Sequence, residues 1–132
     1  MTAATEQCVL CIVDDDDSFR RGLSRLARAS GYEVRAYASA EAFLKEARAG
    51  ENVCVLMDIN MPRMSGLQLQ AQLKARNIYL PIIAVSARDD EETRQTARKL
   101  GARFFLCKPV DDRALLDAIH WVTGDGHAVE RR

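Results

Sequence analysis

Several side chains able to handle a metal ion or a phosphoryl group stand directly after apolar runs of strand length. Asp14 and Asp15 follow residues 8–13, Asp58 follows Val53-Cys54-Val55-Leu56-Met57, Ser86 follows residues 81–85, and Lys108 follows residues 104–107. Uninterrupted apolar runs of this length suit strands covered on both faces, and open α/β sheets bind ligands outside the carboxyl ends of such strands. Three carboxylates in one crevice repel one another until a cation neutralises them. Magnesium is the natural cation, because it takes oxygen ligands and is held by one or two carboxylates together with phosphate oxygens and water. Asp15 and Asp58 offer side-chain oxygens, and the backbone carbonyl of Asn60 reaches round from the turn that Pro62 enforces. The Ser86 hydroxyl and the Lys108 ammonium add a donor and a positive charge at neighbouring strand ends. Phosphoryl transfer asks mainly for in-line positioning and charge neutralisation, and an aspartate is an ordinary acyl-phosphate carrier. Asp58 is the residue expected to carry it.

The elements that must position these groups alternate regularly. A first strand over residues 8–13 precedes a helix with Phe19, Leu23 and Leu26 at helical spacing, closed by Ser30-Gly31. Residues 33–37 form a short second strand, and Ser39 caps a helix to about residue 48, with Phe43, Leu44 and Ala47 as its stripe. After a turn at 50–52, the third strand covers 53–57. The loop 61–66 leads into a helix with Leu67, Gln68, Leu69, Leu73 and Ala75 that runs to about residue 76. Residues 81–85 form the fourth strand, with proline tolerated at its first position. Asp89, Asp90, Glu91 and Glu92 sit in the first turn of the fourth helix and Arg98 and Lys99 in its last, complementing its dipole. Its apolar stripe is thin, mainly Ala97 and Leu100, which marks a displaceable element. Residues 104–107 are the fifth strand, and Asp111 and Asp112 open a last helix with Leu115, Leu116, Ile119 and Val122 inward, stopped by residues 124–126.

Five strands alternating with five helices through short connections imply an α/β fold with a parallel sheet and helices on both faces. The common order for five strands is 2-1-3-4-5, the flavodoxin-like doubly wound (βα)5 arrangement, whose reversal falls between the first and third strands. The acidic run and Asp58 therefore meet at the switch point.

The 132 residues suffice for one domain, expected over 8–123, with an N-terminal tail at 1–7 and a C-terminal tail or truncated linker at 124–132. Nineteen basic and nineteen acidic residues leave no net basic field, so direct nucleic-acid binding is not expected. The apolar runs are too short for a bilayer, and the first seven residues lack the basic start and apolar core of a secretory signal, so the expected location is cytoplasmic. Cys8 and Cys11 have C-x-x-C spacing, but on a strand residues three apart face opposite ways, so Cys8, Cys11, Cys54 and Cys107 read as reduced, buried thiols. Asp16 and Asp17 read as loop and helix-cap residues, and His120 and His127 as surface residues.

Taken together, Val13-Asp14-Asp15, the stretch from Met57 to Gly66, Ala84-Val85-Ser86-Ala87 and Cys107-Lys108-Pro109 resemble the acidic pair, phosphoacceptor loop, hydroxyl strand end and lysine-proline of response-regulator receiver domains. The resemblance covers roughly residues 9–122, and the wording of the loop is most similar to receivers of the nitrogen-fixation regulator type. It implies a phosphoprotein module of two-component signalling, not an enzyme. A sensor histidine kinase or phosphotransfer protein would pass its phosphoryl group to Asp58 in a magnesium-dependent reaction, with manganese as a substitute. Asp14, Asp15, Asp58 and the Asn60 carbonyl would hold the metal. Ser86, the Ala87 backbone and Lys108 would contact the phosphoryl group, with Phe105 as switch aromatic. Phe105 stands where tyrosine is common, so it would signal through packing alone. The changed surface would be the face of the fourth helix, fifth strand and fifth helix, with a symmetric dimer through it and transcription as the output. The Lys108–Pro109 bond is expected to be cis, since X–Pro bonds lose most of the usual trans preference.

Other classes fit less well. A phosphoaspartyl hydrolase would carry Asp-x-Asp, the second acid serving as general acid, and here Asn60 takes that place. A flavodoxin-like cofactor binder would need a Gly/Ser/Thr-rich loop after the first strand, whereas Asp14 to Asp17 would repel a phosphate. A receiver-shaped module that is never phosphorylated would lack one of the polar groups, and all are present.

Overall fold

The computed structural model describes residues 8–123. The expected tails at 1–7 and 124–132, the stop at 124–126 and His127 lie outside the described residues. In chain order the elements are β1 (Val9–Val13), α1 (Asp17–Ala29), β2 (Glu33–Tyr37), α2 (Ala40–Glu46), β3 (Val53–Asp58), α3 (Gly66–Ala75), β4 (Ile82–Ser86), α4 (Glu91–Lys99), β5 (Ala102–Cys107) and α5 (Asp112–Thr123). The five strands form one parallel sheet in the order β2-β1-β3-β4-β5. Every residue of β3, at the sheet centre, is buried, which is what its unbroken apolar run requires.

The sheet separates two apolar layers. One gathers Leu10, Ile12, Leu23, Ala27, Leu56, Ile83, Leu115, Ile119 and Val122 beneath α1 and α5. The other gathers Cys11, Val13, Phe43, Val55, Met57, Leu69, Leu73 and Ala84 beneath α2 and α3, with Ala97 of α4. Cys8 and Cys11 fall in opposite layers, and the four cysteines are free thiols. Burial pushes the Cys8 and Cys11 thiols up to about 11, which keeps them protonated and inert.

Capping fixes where the helices begin. The Asp16 carboxylate accepts the Phe19 N–H at 3.2 Å, Ser39 Oγ accepts the Ala42 N–H at 3.0 Å, and Ser65 forms a capping box with Gln68. Some expected boundaries move. Asp90 caps α4, accepting the Glu92 N–H and the Thr93 hydroxyl, so Asp89 lies outside the helix and only Glu91 and Glu92 occupy its first turn. Helix α2 stops at Glu46 because Ala47 is extended. Strand β5 begins two residues early at Ala102 and is only partly buried, which the expectation of a short apolar strand did not anticipate. On α3 the inward residues are Leu69, Gln70 and Leu73, with Gln68 and Ala75 exposed. No helix among the described residues is long and apolar enough to cross a membrane.

Candidate functional site

The reversal between β1 and β3 places the β1–α1 loop beside the carboxyl end of β3. One oxygen each from Asp14, Asp15 and Asp58 lies within 4.8 Å of the others. Asp14 is 0% and Asp58 4% exposed, while Asp15 is open to solvent. The two buried carboxylates are held alike. Asp14 Oδ1 accepts the Asp16 N–H at 2.8 Å, and Asp58 Oδ1 accepts the Asn60 N–H at 3.1 Å. Their Oδ2 atoms are left for Lys108, whose Nζ lies 3.3 Å from Asp14 Oδ2 and 3.6 Å from Asp58 Oδ2. The Phe19 ring packs on the same ammonium, 4.2 Å from ring centroid to Nζ.

Lys108 is aimed by its backbone. Its N–H donates to the Ser86 carbonyl at 2.8 Å, and the Lys108–Pro109 peptide is cis. The loop after Asp58 is pinned at both ends, since the Ile59 N–H donates to the Val85 carbonyl at 2.8 Å and the Gly66 N–H to the Ile59 carbonyl at 2.9 Å. Gly66, which in the sequence only ends the 61–66 loop, has a steric role here. A Cβ there would lie 2.6 Å from the Asp58 carbonyl oxygen and 2.8 Å from Ile59 Cα, so only glycine lets α3 approach the loop this closely.

One lysine does not fully compensate two buried carboxylates. Burial first, and then the charges of Asp14 and Asp15, push Asp58 up to about 6, against the lowering effects of the Asn60 N–H and of Lys108. Asp14 is raised as well, chiefly by burial, with the Asp16 N–H and Lys108 opposing. A cluster of oxygen donors in which negative charge outweighs positive fits a hard divalent cation. Asp14, Asp15 and Asp58 are the side chains that could hold it, with the exposed side of Asp15 as the way in.

The remaining expected residues are placed differently. Ser86, 0% exposed, donates through Oγ to Asn60 Oδ1 at 3.2 Å and accepts the Arg88 N–H at 3.1 Å. The Ala87 N–H also donates to Asn60 Oδ1, at 3.1 Å. The Asn60 side chain thus takes two donors at the rim of the crevice. Phe105 stands apart from the carboxylates. It is half-buried against the α2–α3 layer, with the Arg94 guanidinium of α4 4.9 Å from its ring centroid.

The order of strands and the carboxylate-lysine cluster at their carboxyl ends define a doubly wound, flavodoxin-fold domain with an acidic switch-point site. The chain belongs to the response regulator receiver domain family, whose family model matches residues 10–120. It is 38% identical over 118 residues to nodulation protein W of Bradyrhizobium diazoefficiens, covering 89% of this chain and 52% of that protein. It is also 38% identical over 108 residues to the transcriptional regulatory protein FixJ of Azorhizobium caulinodans, covering 82% of this chain and 51% of that protein. The crystal structure of FixJ-N superposes with a TM-score of 0.81 at 33% identity, covering 86% of this chain and 91% of that one. The response regulator StyR superposes at 0.84 and 40% identity, covering 96% and 63%. The chain spans about half the length of the curated relatives it matches.

Proposed function

We propose that Asp58 is the phosphoacceptor of this receiver domain, taking a phosphoryl group from a histidine kinase or phosphotransfer protein and so controlling an output, transcription, carried by a longer protein. The observation that carries this reading is the Asp58 carboxylate itself. It is buried at a strand end, has one oxygen fixed by the Asn60 N–H, and points the other toward Lys108 beside Asp14.

An Asp58 oxygen attacks the donor's phosphorus. A P–O bond forms as the donor's P–N bond breaks, and the bonding pair leaves on the donor's imidazole. Asp14, Asp15, Asp58 and the Asn60 carbonyl would hold magnesium, or manganese in its place, which supplies charge neutralisation for the phosphoryl oxygens when bound. Lys108 adds its positive charge on the same side, where it already meets Asp58. The Ser86 hydroxyl and the Ala87 N–H, now sharing Asn60 Oδ1, are two donors that can turn to phosphoryl oxygens. Asn60 in place of an acid leaves no general acid for rapid turnover, which supports a carrier of signal and not a hydrolase.

The readout we assign to the α4-β5-α5 face. Drawing Ser86 toward the phosphoryl group vacates space into which Phe105 turns. Helix α4 buries only Ala97, so moving it costs little packing. Acids at the start of α4 and bases at its end offer complementary charge for a symmetric dimer. We take residues 8–123 as the receiver unit and the cytoplasm as its location, with DNA contact left to another segment.

The test is intact mass after incubation with a small acyl phosphate. One phosphoryl unit should be gained with magnesium, and none with EDTA or in Asp58→Asn. A gain that persists in Asp58→Asn sinks the assignment.

A further inference from the structure

Helix α1 carries Arg20, Arg21, Arg25 and Arg28 against a single acid, Asp17, in a chain whose formal charges sum to zero. Arg21, Arg25 and Arg28 follow i, i+4, i+7 spacing and share one flank, where like charges repel. Between α1 and the edge strand β2 lies a recess of about 390 Å³ lined by Arg20, Arg21, Ser24, Arg25, Arg28 and Ala36. Asp17 is spent on Arg20, with Arg21 at 3.9 Å, and Arg28 meets the Val34 carbonyl at 3.5 Å. Arg25 has no ion-pair partner among the described residues. The recess therefore gathers more positive charge than the protein neutralises.

Ser24 lines the same recess. It is 6% exposed, and its Oγ is buried without a hydrogen-bond partner. A helical serine ordinarily satisfies itself on the carbonyl four residues back, and a buried hydroxyl left unpaired is unfavourable. An oxyanion drawn between the guanidinium groups would give that hydroxyl an acceptor. Planar guanidinium forks match the oxygen spacing of tetrahedral oxyanions, and charge-assisted bonds of this kind are the stronger class.

We propose that this recess is a binding site for a small phosphate-class polyanion, held by Arg21, Arg25 and Arg28 with the Ser24 hydroxyl donating to one oxygen. Its volume exceeds one phosphate and suits a diphosphate-sized ligand. The zero net charge of the chain argues against an extended nucleic acid as the occupant. The Asp58 crevice, lined by three carboxylates, repels the same anion when no metal is present, so the two sites can be separated by chelation.

The experiment is a titration of the ¹⁵N-labelled chain with inorganic pyrophosphate in EDTA, followed by amide and arginine Nε shifts. Saturable shifts are expected at α1 and β2. Arg25→Gln combined with Arg28→Gln should weaken binding about tenfold or more, and Ser24→Ala about threefold or more, with the rest of the spectrum unchanged. Arg25→Lys, which keeps the charge and loses the fork, should not restore full affinity. Non-saturating shifts, shifts confined to the Asp58 loop, or a short DNA duplex binding where pyrophosphate does not would each overturn the proposal. So would Ser24→Ala and Arg25→Lys both binding like the unaltered chain, since surface charge alone would then suffice.

Discussion

Replacing Asp58 with asparagine should make the metal-free protein more stable, and the gain should depend on pH in a way set by this one carboxylate. Asp58 is raised from the ordinary 3.8 to about 6, mainly by burial, so the folded state holds the proton in a range where the unfolded chain has released it. Stability from this group is therefore fully present below about pH 4 and is lost as pH rises through about 6. At about 1.4 kcal/mol per pH unit, the gap sets a ceiling of about 3 kcal/mol at neutral pH. Solvent entering past the exposed Asp15 screens part of it, leaving about 2 kcal/mol. Asparagine never ionises, and Lys108 keeps Asp14 as its partner at 3.3 Å. Urea unfolding in EDTA, followed by circular dichroism, should thus find Asp58→Asn close to the parent at about pH 4 and about 2 kcal/mol more stable above about pH 7. Magnesium should narrow the neutral-pH gap by stabilising the parent more than the variant. A difference that does not change with pH, or a variant less stable at neutral pH, would refute the account of Asp58 as a strained buried carboxylate.

Three other outcomes follow from the same geometry. Gly66→Ala should cost about 1–3 kcal/mol, because the new methyl meets the Asp58 and Ile59 backbone, and should also slow phosphoryl uptake; thermal melting and intact mass measure the two effects, and a neutral substitution would mean that α3 yields without disturbing the loop. Lys108→Ala should destabilise the metal-free protein by about 1–3 kcal/mol by leaving Asp14 and Asp58 without their cation. Its gain in melting temperature on adding magnesium should exceed the parent's, and an equal gain would contradict the charge balance drawn for the crevice. Amide exchange in α4 and β5 should change on adding a beryllium fluoride mimic of the phosphoryl group, since Ala97 alone anchors α4 through apolar burial; unchanged exchange there rejects the readout face.

The strand ends were readable in the sequence because buried parallel strands are unbroken apolar runs, and residues 53–57 and 81–85 are apolar runs of strand length bounded by turn residues. Right-handed crossovers leave few topologies, and the commonest order for five strands, which the sheet has, brings Asp14, Asp15 and Asp58 together without reference to any relative. What the sequence did not disclose depends on approach and not on residue type. Gly66 reads as one more turn glycine until the backbone of Asp58 is found 2.6 Å from where its Cβ would lie. Asn60 was valued for its carbonyl, yet its amide oxygen holds Ser86 and Ala87, a pairing that local sequence spacing cannot reveal. Gln70 carries no signal in the sequence, yet it is 1% exposed and its Nε2 donates to the Ala97 carbonyl of α4 at 3.0 Å. The four acids near α4 looked like one helical turn, and only the capping geometry of Asp90 divides them.

On the proposed function, Asp58 and neither of its acidic neighbours carries the phosphoryl group. Acyl phosphates are reduced by borohydride to the alcohol, which converts a phosphoaspartate to homoserine and marks its position permanently. After incubation with an acyl phosphate and magnesium, reduction and peptide mapping should find homoserine at position 58 alone. Homoserine at position 14 or 15, or a phosphorylated protein that yields none, would contradict the account.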